Sequence, residues 1–329
     1  MAGYIKPWIS FDDQLAQLAQ RGMKISDQAR ALECLGRIGY YRLSGYWYAF
    51  RERNEVVWLD GGIKPDELKV TRLLADDFRP GTTFQNAVDL YVFDKQLRLL
   101  TLDALERIEI RLRVDIAHSL GAKDPFAYNQ RHLLHADFSG KVMVKTGISR
   151  HQDWIERHDK LIIRSKEESI LHCVGKYGLP LPLWVVSEVW DFGTMSTLFS
   201  GMLEADQDAI AVRYGIANGR VFASWLRSLN YLRNLCAHHS RLWNRNIVDQ
   251  PRLPSVKAVP WVKPFVGNSH GLARCYLLLC IARHLLRVIN PGSTWPARMK
   301  EHLQHFPQLS HLGLNVGGMG AFPGWEAAW

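Results

Sequence analysis

The feature that most limits the possible folds is a long run of helical periodicity from Phe84 to Leu120. Apolar residues recur there every three or four positions: Val88, Tyr91, Val92, Leu99, Leu102, Leu105, Ile108, Leu112 and Ile116. Thr82 and Gln85 have the spacing of a capping box, which predicts where the helix begins. A stripe of this length is typical of a helical bundle, because a helix with one apolar side buries it against other helices.

The remaining sequence predicts further helices and few strands. Residues 51–82 are expected to be irregular, and β-branched runs such as "EVVWL" predict a hairpin at most. The fold class is therefore all-α. We predict an N-terminal helical region over residues 1–83, a helical bundle over 84–290 and a C-terminal tail over 291–329 that packs on the bundle.

Composition excludes several classes of protein. The first residues lack an apolar signal segment, and the longest apolar run, "CYLLLCIA", is too short to span a bilayer. A cytoplasmic protein without membrane contact is expected. The five cysteines are scattered without a CxxC pair, so neither a disulfide framework nor a zinc site is expected, and no cofactor is predicted. The net charge of +9 fits either a polyanionic partner or an ordinary basic protein.

The stretch from Trp225 to Arg245, treated as one helix, has a polar side and an apolar side. At about 100° per residue, the polar arc collects Arg227, Asn230, Asn234, His238, Arg241 and Arg245. His239 falls in the apolar arc between Cys236 and Trp243, where a hydrogen-bonded core histidine is the expected role. The sequence thus separates two adjacent histidines and favours His238 for chemistry.

Residue types in this segment favour a phosphodiester ligand. Between residues 220 and 252 there are six arginines, no lysine and one acid, Asp249. Arginine binds phosphate with its planar fork, and histidine transfers protons near neutral pH. RNA supplies its own nucleophile, the 2′-hydroxyl, so such a site needs no metal. The alternative interpretation is that these polar residues form the solvent-exposed side of an ordinary helix and bind no ligand.

Three other segments have both a structural and a functional interpretation. In "YYRLSGYWYAF" the aromatics are expected to pack in the core, and Arg42 is a candidate RNA contact. The alternative is stacking on RNA bases by exposed aromatics of this segment: Tyr40, Tyr41, Tyr46 or Trp47. In "ALERIEIRLR", Glu106 and Glu109 are expected to form salt bridges or to orient arginines such as Arg233, with paired-carboxylate chemistry as the alternative. The mixed charges of "HQDWIERHDKLIIRSKEES" indicate a solvated helix, with an RNA backbone as the alternative partner of Lys160, Arg164 and Lys166.

The phrase "RNLCAHH" contains Arg233, Asn234 and His238 in an R-x(4–6)-H arrangement. This arrangement resembles the signature of the HEPN superfamily of ribonucleases. The longer phrase "LNYLRNLCAHHSRLWNR" resembles the Abi-like family of abortive-infection proteins, AbiD and AbiF. "IGYYRLSGYWYAF", "PLWVVSEVWDFGTMSTLF" and "MGAFPGWEAAW" resemble other segments of that family, in the same order.

The resemblance implies a HEPN-like bundle in an RNA-binding protein of bacterial anti-phage defence. It also implies a toxin that associates with a structured non-coding RNA and forms a homodimer. In the catalytic interpretation, a metal-independent endoribonuclease uses Arg233, Asn234 and His238. The RNA-contacting candidates are Arg227, Arg241, Arg245 and Arg42. The alternative is a non-catalytic module whose HEPN site only grips RNA. A DNA-binding regulator ranks lower, because no helix-turn-helix spacing precedes the arginine-rich segment.

Overall fold

The computed structural model describes Gly3 and residues 7–58 and 69–329, with the backbone alone for the strand residues between 54 and 74. Helices dominate these ranges, which confirms the predicted all-α class. Two compact units make up the chain: Met1–Gln96 with His302–Val316, and Leu97–Glu301 with Gly317–Trp329. The domain boundaries predicted from the sequence at 83/84 and 290/291 stay predictions.

The elements follow one another along the chain as helices interrupted by one pair of strands. The strands are β1 (Arg51–Trp58) and β2 (Lys69–Phe78). The helices are α1 (Phe11–Gln20), α2 (Gln28–Ile38), α3 (Tyr40–Trp47), α4 (Phe84–Gly121), α5 (Ala136–Ser139), α6 (Arg150–Arg164), α7 (Glu168–Tyr177), α8 (Leu183–Val186), α9 (Phe192–Gly201), α10 (Glu204–Arg213), α11 (Gly219–Ala237), α12 (Ser269–Leu272), α13 (Cys275–Ile289), α14 (Trp295–Gln304) and α15 (Trp325–Ala328).

In the first unit, the aromatic segment of α3 has two roles. Tyr46 and Trp47 are buried, as the core-packing interpretation predicts, and the Tyr46 hydroxyl donates to Asp94 at 2.8 Å. Tyr41 and Arg42 lie on the exposed side of the same helix. Helical periodicity thus places one half of this motif in the core and the other half in solvent.

The segment expected to be irregular, 51–82, instead contains the antiparallel pair β1–β2. Arg51 pairs with Phe78 and Trp58 with Lys69, with an irregularity between Arg51 and Arg53. This agrees with the weaker expectation of a single hairpin. Residues 59–68, including the leucine that ends "EVVWL", lie outside the described residues.

Helix α4 extends from Phe84 to Gly121, within one residue of the predicted span. Its capping box is formed by Thr83 and Asn86 rather than by the predicted Thr82 and Gln85. The Asn86 amide donates to Thr83 Oγ1 at 3.1 Å, and the Thr83 amide donates to Asn86 Oδ1 at 2.9 Å. Thr82 is buried and its hydroxyl donates to the Arg79 carbonyl, so it is not available as a cap.

Two residues of the predicted apolar stripe of α4 are exposed. Val92 and Leu99 are each about half exposed, whereas Leu105, Ile108, Leu112 and Ile116 are buried as expected. Leu99 lies two positions from both Leu97 and Thr101, which are fully buried. Two positions correspond to about 200° around a helix, so Leu99 faces the opposite side.

In the second unit, α11 packs against α9, α10 and α13. Trp225, Leu229 and Leu232 of α11 are completely buried, as are most side chains of α13. Each such side chain contributes about 1.5–3 kcal/mol through burial. This core fixes the apolar side of α11, which leaves its polar side free to line a surface. No helix within the described ranges combines the length and the apolar character that a membrane crossing requires.

Candidate functional site

Helix α11 carries most of the predicted site residues, and its start is specified by sequence. The Asn218 side chain accepts from the Val221 amide at 3.1 Å, a standard N-cap bond. Gly219 follows, and its amide donates to Asp208 at 2.6 Å. A Cβ at position 219 would overlap Gln207 of α10. Glycine at this position therefore allows α10 and α11 to pack closely.

The end of α11 corrects the single-helix prediction for residues 225–245. The helix stops at Ala237, His238 is its C-cap, and His239 has a left-handed φ of 55°. The Ser240 amide donates to the Leu235 carbonyl at 2.9 Å, and the His239 amide donates to Cys236 at 3.1 Å. These two bonds form a Schellman motif, in which glycine usually occupies the position taken here by His239.

The prediction that His239 is a core histidine is wrong, because the side chain is exposed. The 100° phase that placed it among apolar residues no longer applies beyond Ala237. His238 is also exposed, and its amide donates to the Asn234 carbonyl at 3.0 Å. His238 therefore follows Asn234 by one turn, as expected, but at the end of the helix rather than within it.

The other predicted residues occupy different positions. Arg233 is half-buried, and Asn234 and Arg227 are exposed on α11. Arg241 and Arg245 lie beyond the helix end, half-buried and exposed respectively. Arg42 belongs to the first unit, whereas all the others belong to the second.

Arg233 and Asn234 line a cleft of about 530 Å³ in the second unit. We call it the α6–α11 cleft, because α6 and α11 form its walls and α9 its base. Charged lining residues comprise six cations and two carboxylates: Arg150, Arg157, Lys160, Arg164, Arg227, Arg233, Asp153 and Asp191. Asn230 and the hydroxyls of α9 complete the polar lining, whereas His238 is not among the lining residues.

Buried aromatic residues pack and hydrogen-bond at the base of this cleft. The Trp154 indole donates to the Thr194 carbonyl at 2.9 Å, and the Trp190 indole donates to His158 Nδ1 at 2.9 Å. Burial lowers the pKa of His158 to about 4, so this histidine is neutral at physiological pH. Asp191 caps α9 by accepting from the Thr194 amide at 2.7 Å. This carboxylate therefore already occupies the anion-binding end of α9.

Glu109 of α4 lies close enough to Arg233 for their charges to interact. Burial raises the pKa of Glu109, and the positive charges of Arg233 and Arg113 oppose that rise. Glu109 and Arg233 line a second cleft, of about 380 Å³. Arg113 is held by Glu109 at 3.5 Å, by Glu188 at 3.3 Å and by the Trp190 carbonyl at 3.0 Å. In the described part of the chain Glu109 forms no ion pair with Arg233, so its suggested role in orienting that arginine stays a prediction.

The mixed charges of α6 predict mainly a solvated helix surface for its basic residues. Their spacing contains a signal for the cleft, since Arg150, Arg157 and Arg164 recur every seven residues and share one side of a helix. Asp191 was not predicted at all, because no local pattern distinguishes it from any other helix cap. Among the described residues, no three His, Cys, Asp or Glu side chains cluster as metal ligands would.

The chain matches the model of a known protein family. The family model described as Abi-like protein matches residues 33–244, which is more than half of the 329 residues. No curated protein and no solved structure matches the chain. The matched range includes α3, α4, the whole α6–α11 cleft and the turn after α11. The chain therefore belongs to the Abi-like protein family.

Proposed function

We propose that this chain acts in abortive-infection defence as an RNA-binding, metal-independent endoribonuclease. Membership of the Abi-like protein family supports the defence role. The observation that carries the RNA-directed part is the α6–α11 cleft, where Arg233 and Asn234 lie among an excess of cations. Arginine-rich clefts attract polyanions and hold phosphate through charge-assisted hydrogen bonds.

The proposed reaction is transesterification within RNA. The 2′-hydroxyl loses its proton and its oxygen attacks the adjacent phosphorus, while the bond from phosphorus to the 5′ oxygen breaks. His238 accepts or delivers one of these protons, and Arg233 stabilises the charge on the phosphoryl oxygens. The 5′ oxygen gains a proton as it leaves. The products are a 2′,3′-cyclic phosphate and a 5′-hydroxyl.

The proposal includes a homodimer and a bound structured non-coding RNA. The exposed apolar residues Ile110 and Val114, one turn apart on α4, are compatible with a second copy. Ile110 lines the same small cleft as Glu109 and Arg233, so a partner seated there would approach Arg233.

A non-catalytic RNA-binding module is the second candidate. The observation that favours it is that His238 is exposed beyond the helix end and does not line the cleft with Arg233 and Asn234. In that case RNA is gripped by the same arginines, but no proton is transferred.

A cleavage assay in EDTA distinguishes the two functions. We expect the purified protein to cut labelled RNA in excess EDTA and to leave a 2′,3′-cyclic phosphate, which mass spectrometry identifies. A strand with one 2′-deoxynucleotide at the mapped cleavage position should be bound but not cut there. Binding without any cleavage would favour the non-catalytic module, and cleavage at the deoxy position would contradict the 2′-hydroxyl mechanism.

Replacing Glu109 with glutamine tests whether this carboxylate positions Arg233. We expect kcat to fall by about 10- to 100-fold, while KM stays equal or decreases because a negative charge beside Arg233 is lost. Wild-type activity should fall at acidic pH as Glu109 becomes protonated, since burial raises its pKa. The variant should lack the part of this acidic decline that protonation of Glu109 causes.

Glu106→Gln is the matched control, since Glu106 lines the same small cleft and is exposed. Its kcat and pH profile should match the wild type. Equal kcat in the wild type and Glu109→Gln would remove Glu109 from the proposed site.

A further inference from the structure

We infer that the α6–α11 cleft binds a single RNA strand along its sugar–phosphate backbone, from Arg150 at one end to Arg233 at the other. This inference deepens the proposed function, because it names α6 as the element that holds the strand. It concerns binding, so it does not depend on whether Arg233 and His238 cut the strand.

The charges of the cleft suit a polyanion rather than a single anion. Arg157 is paired with Asp153 at 2.9 Å and Arg227 approaches Asp249 at 4.0 Å. Within the described part of the chain, Lys160, Arg164 and Arg233 form no ion pair with a carboxylate. Lys160 and Arg164 therefore keep their charge available for a ligand on the α6 wall, while on the α11 wall the charge of Arg233 is partly opposed by that of Glu109.

Contacts between the helices give the direction of the cleft. Phe199 packs on Phe222 at 5.4 Å, whereas a Cβ at Gly193 would lie 3.5 Å from the Asn230 side chain. Helices α9 and α11 are therefore antiparallel, and Arg233 lies beside the start of α9. On this side, Asp191 also contributes to the electrostatic environment of Glu109.

Helix α6 is likewise antiparallel to α9. His158 contacts Trp190, just before the start of α9. At the other end, the Arg150 guanidinium lies 5.9 Å from the Phe138 ring, which packs against Gly201 at the end of α9. Arg150 and Arg233 are thus at opposite ends of the cleft. The 15 residues of α6 rise about 21 Å from first to last, a length that spans several consecutive phosphates.

The lining favours contact with the backbone rather than with bases. Trp154 and Phe192 are the aromatic residues of the lining, and each is only 1% exposed. Neither offers a ring surface on which a base could stack. The Asn230 amide suits ribose and phosphate oxygens. The hydroxyls of Thr197 and Ser200 already donate to carbonyls within α9, so they remain only as acceptors for a ribose hydroxyl. Binding is therefore expected to depend strongly on salt and weakly on sequence.

The size of the cleft favours a single strand. Its volume of 530 Å³ is within the range of small-ligand sites, which is about 300–1,000 Å³. A short piece of one strand fits such a space, whereas a paired duplex carries a second strand and needs a wider groove. The Asn and hydroxyl groups also have the 2′-hydroxyl of RNA as a partner, which DNA lacks.

Fluorescence anisotropy with end-labelled RNA strands of mixed sequence tests the inference on the full chain. We expect Arg164→Glu and Arg150→Glu each to raise Kd by about tenfold at low salt. The salt dependence of log Kd should become shallower by about 0.7 for each lost phosphate contact. Lys257→Glu is the matched control, since Lys257 is exposed in the loop after α11 and does not line the cleft. Arg164→Gln and Arg150→Gln repeat the test with a milder change.

Strand length supplies a second readout. Arg150→Glu should weaken binding of a strand of about ten nucleotides but not of a trinucleotide, because a short strand held at Arg233 does not reach Arg150. Binding by all α6 variants within twofold of the wild type would overturn the inference. Equal or tighter binding of duplex RNA or of single-stranded DNA would overturn the single-strand RNA assignment. Binding of the strand by a wild-type protein that does not cleave it would count against the nuclease alone.

Discussion

Arg233→Ala is expected to lower the rate of RNA cleavage by about 100- to 1,000-fold, because it removes charge stabilisation of the phosphoryl oxygens. His238→Ala is expected to lower it by about 100- to 10,000-fold through loss of general acid–base catalysis. The two groups act on the same step, so the double variant should be little slower than the slower single variant. Single-turnover rates on labelled RNA measure these effects separately from product release.

The exposed residues at the end of α11 provide matched controls for these variants. His239→Ala should retain activity within a few-fold, although His239 is adjacent to His238 and is also exposed. Arg233→Lys keeps the charge but loses the planar fork, so an intermediate rate is expected. His238→Ala should bind RNA within threefold of the wild type. Unchanged cleavage in both alanine variants would show that the reaction, if present, uses other residues.

The second large effect concerns stability of the unit that contains the cleft. Asp115 of α4 is buried and accepts hydrogen bonds from the Tyr214 hydroxyl at 2.5 Å, Arg213 at 2.8 Å and Arg111 at 3.2 Å. Asp115→Ala would leave the buried Tyr214 hydroxyl without an acceptor. Both arginines are nearly half exposed, so water can replace part of the hydrogen bonding that they lose with the carboxylate. We expect the free energy of unfolding to fall by about 3 kcal/mol.

Urea denaturation followed by tryptophan fluorescence measures this loss. Tyr214→Phe should cost about 1 kcal/mol, since it removes one hydrogen bond and leaves the carboxylate with two arginines. Asp137→Ala, at an exposed position, should change stability by less than about 0.5 kcal/mol. A loss below that value in Asp115→Ala would mean that the network contributes nothing net to folding.

Local patterns in the sequence predicted the parts of the fold that depend on local interactions. Helix α4 was predicted within one residue, because its periodicity continues over many turns and its start has a capping signal. The cap itself was displaced by one residue, since Thr82 and Thr83 both precede a polar residue at the right spacing. Which threonine caps the helix depends on the Arg79 carbonyl, which engages Thr82.

The end of α11 shows where local patterns fail. Neither glycine nor proline follows Ala237, so nothing in the sequence marked the end of the helix. Local patterns could not predict the α6–α11 cleft either. Helices α6 and α11 are separated by more than fifty residues in the sequence. Only folding brings Arg150, Arg164 and Arg233 together in the lining of one cleft. The sequence identified the arginine-rich wall of α11 but not the wall opposite it.

Because the backbone at His239 is left-handed, different properties limit which residues can replace each of the two adjacent histidines. A residue at position 239 has to adopt a φ near 55°, which glycine and asparagine do easily and β-branched residues do not. Position 238 is limited instead by the proton chemistry proposed for it. Replacement of His239 by Gly or Asn should therefore preserve the turn. The same replacement of His238 should remove the proposed proton transfer. A family member with "HG" or "HN" in place of "HH" would keep both the turn and the histidine of the proposed site.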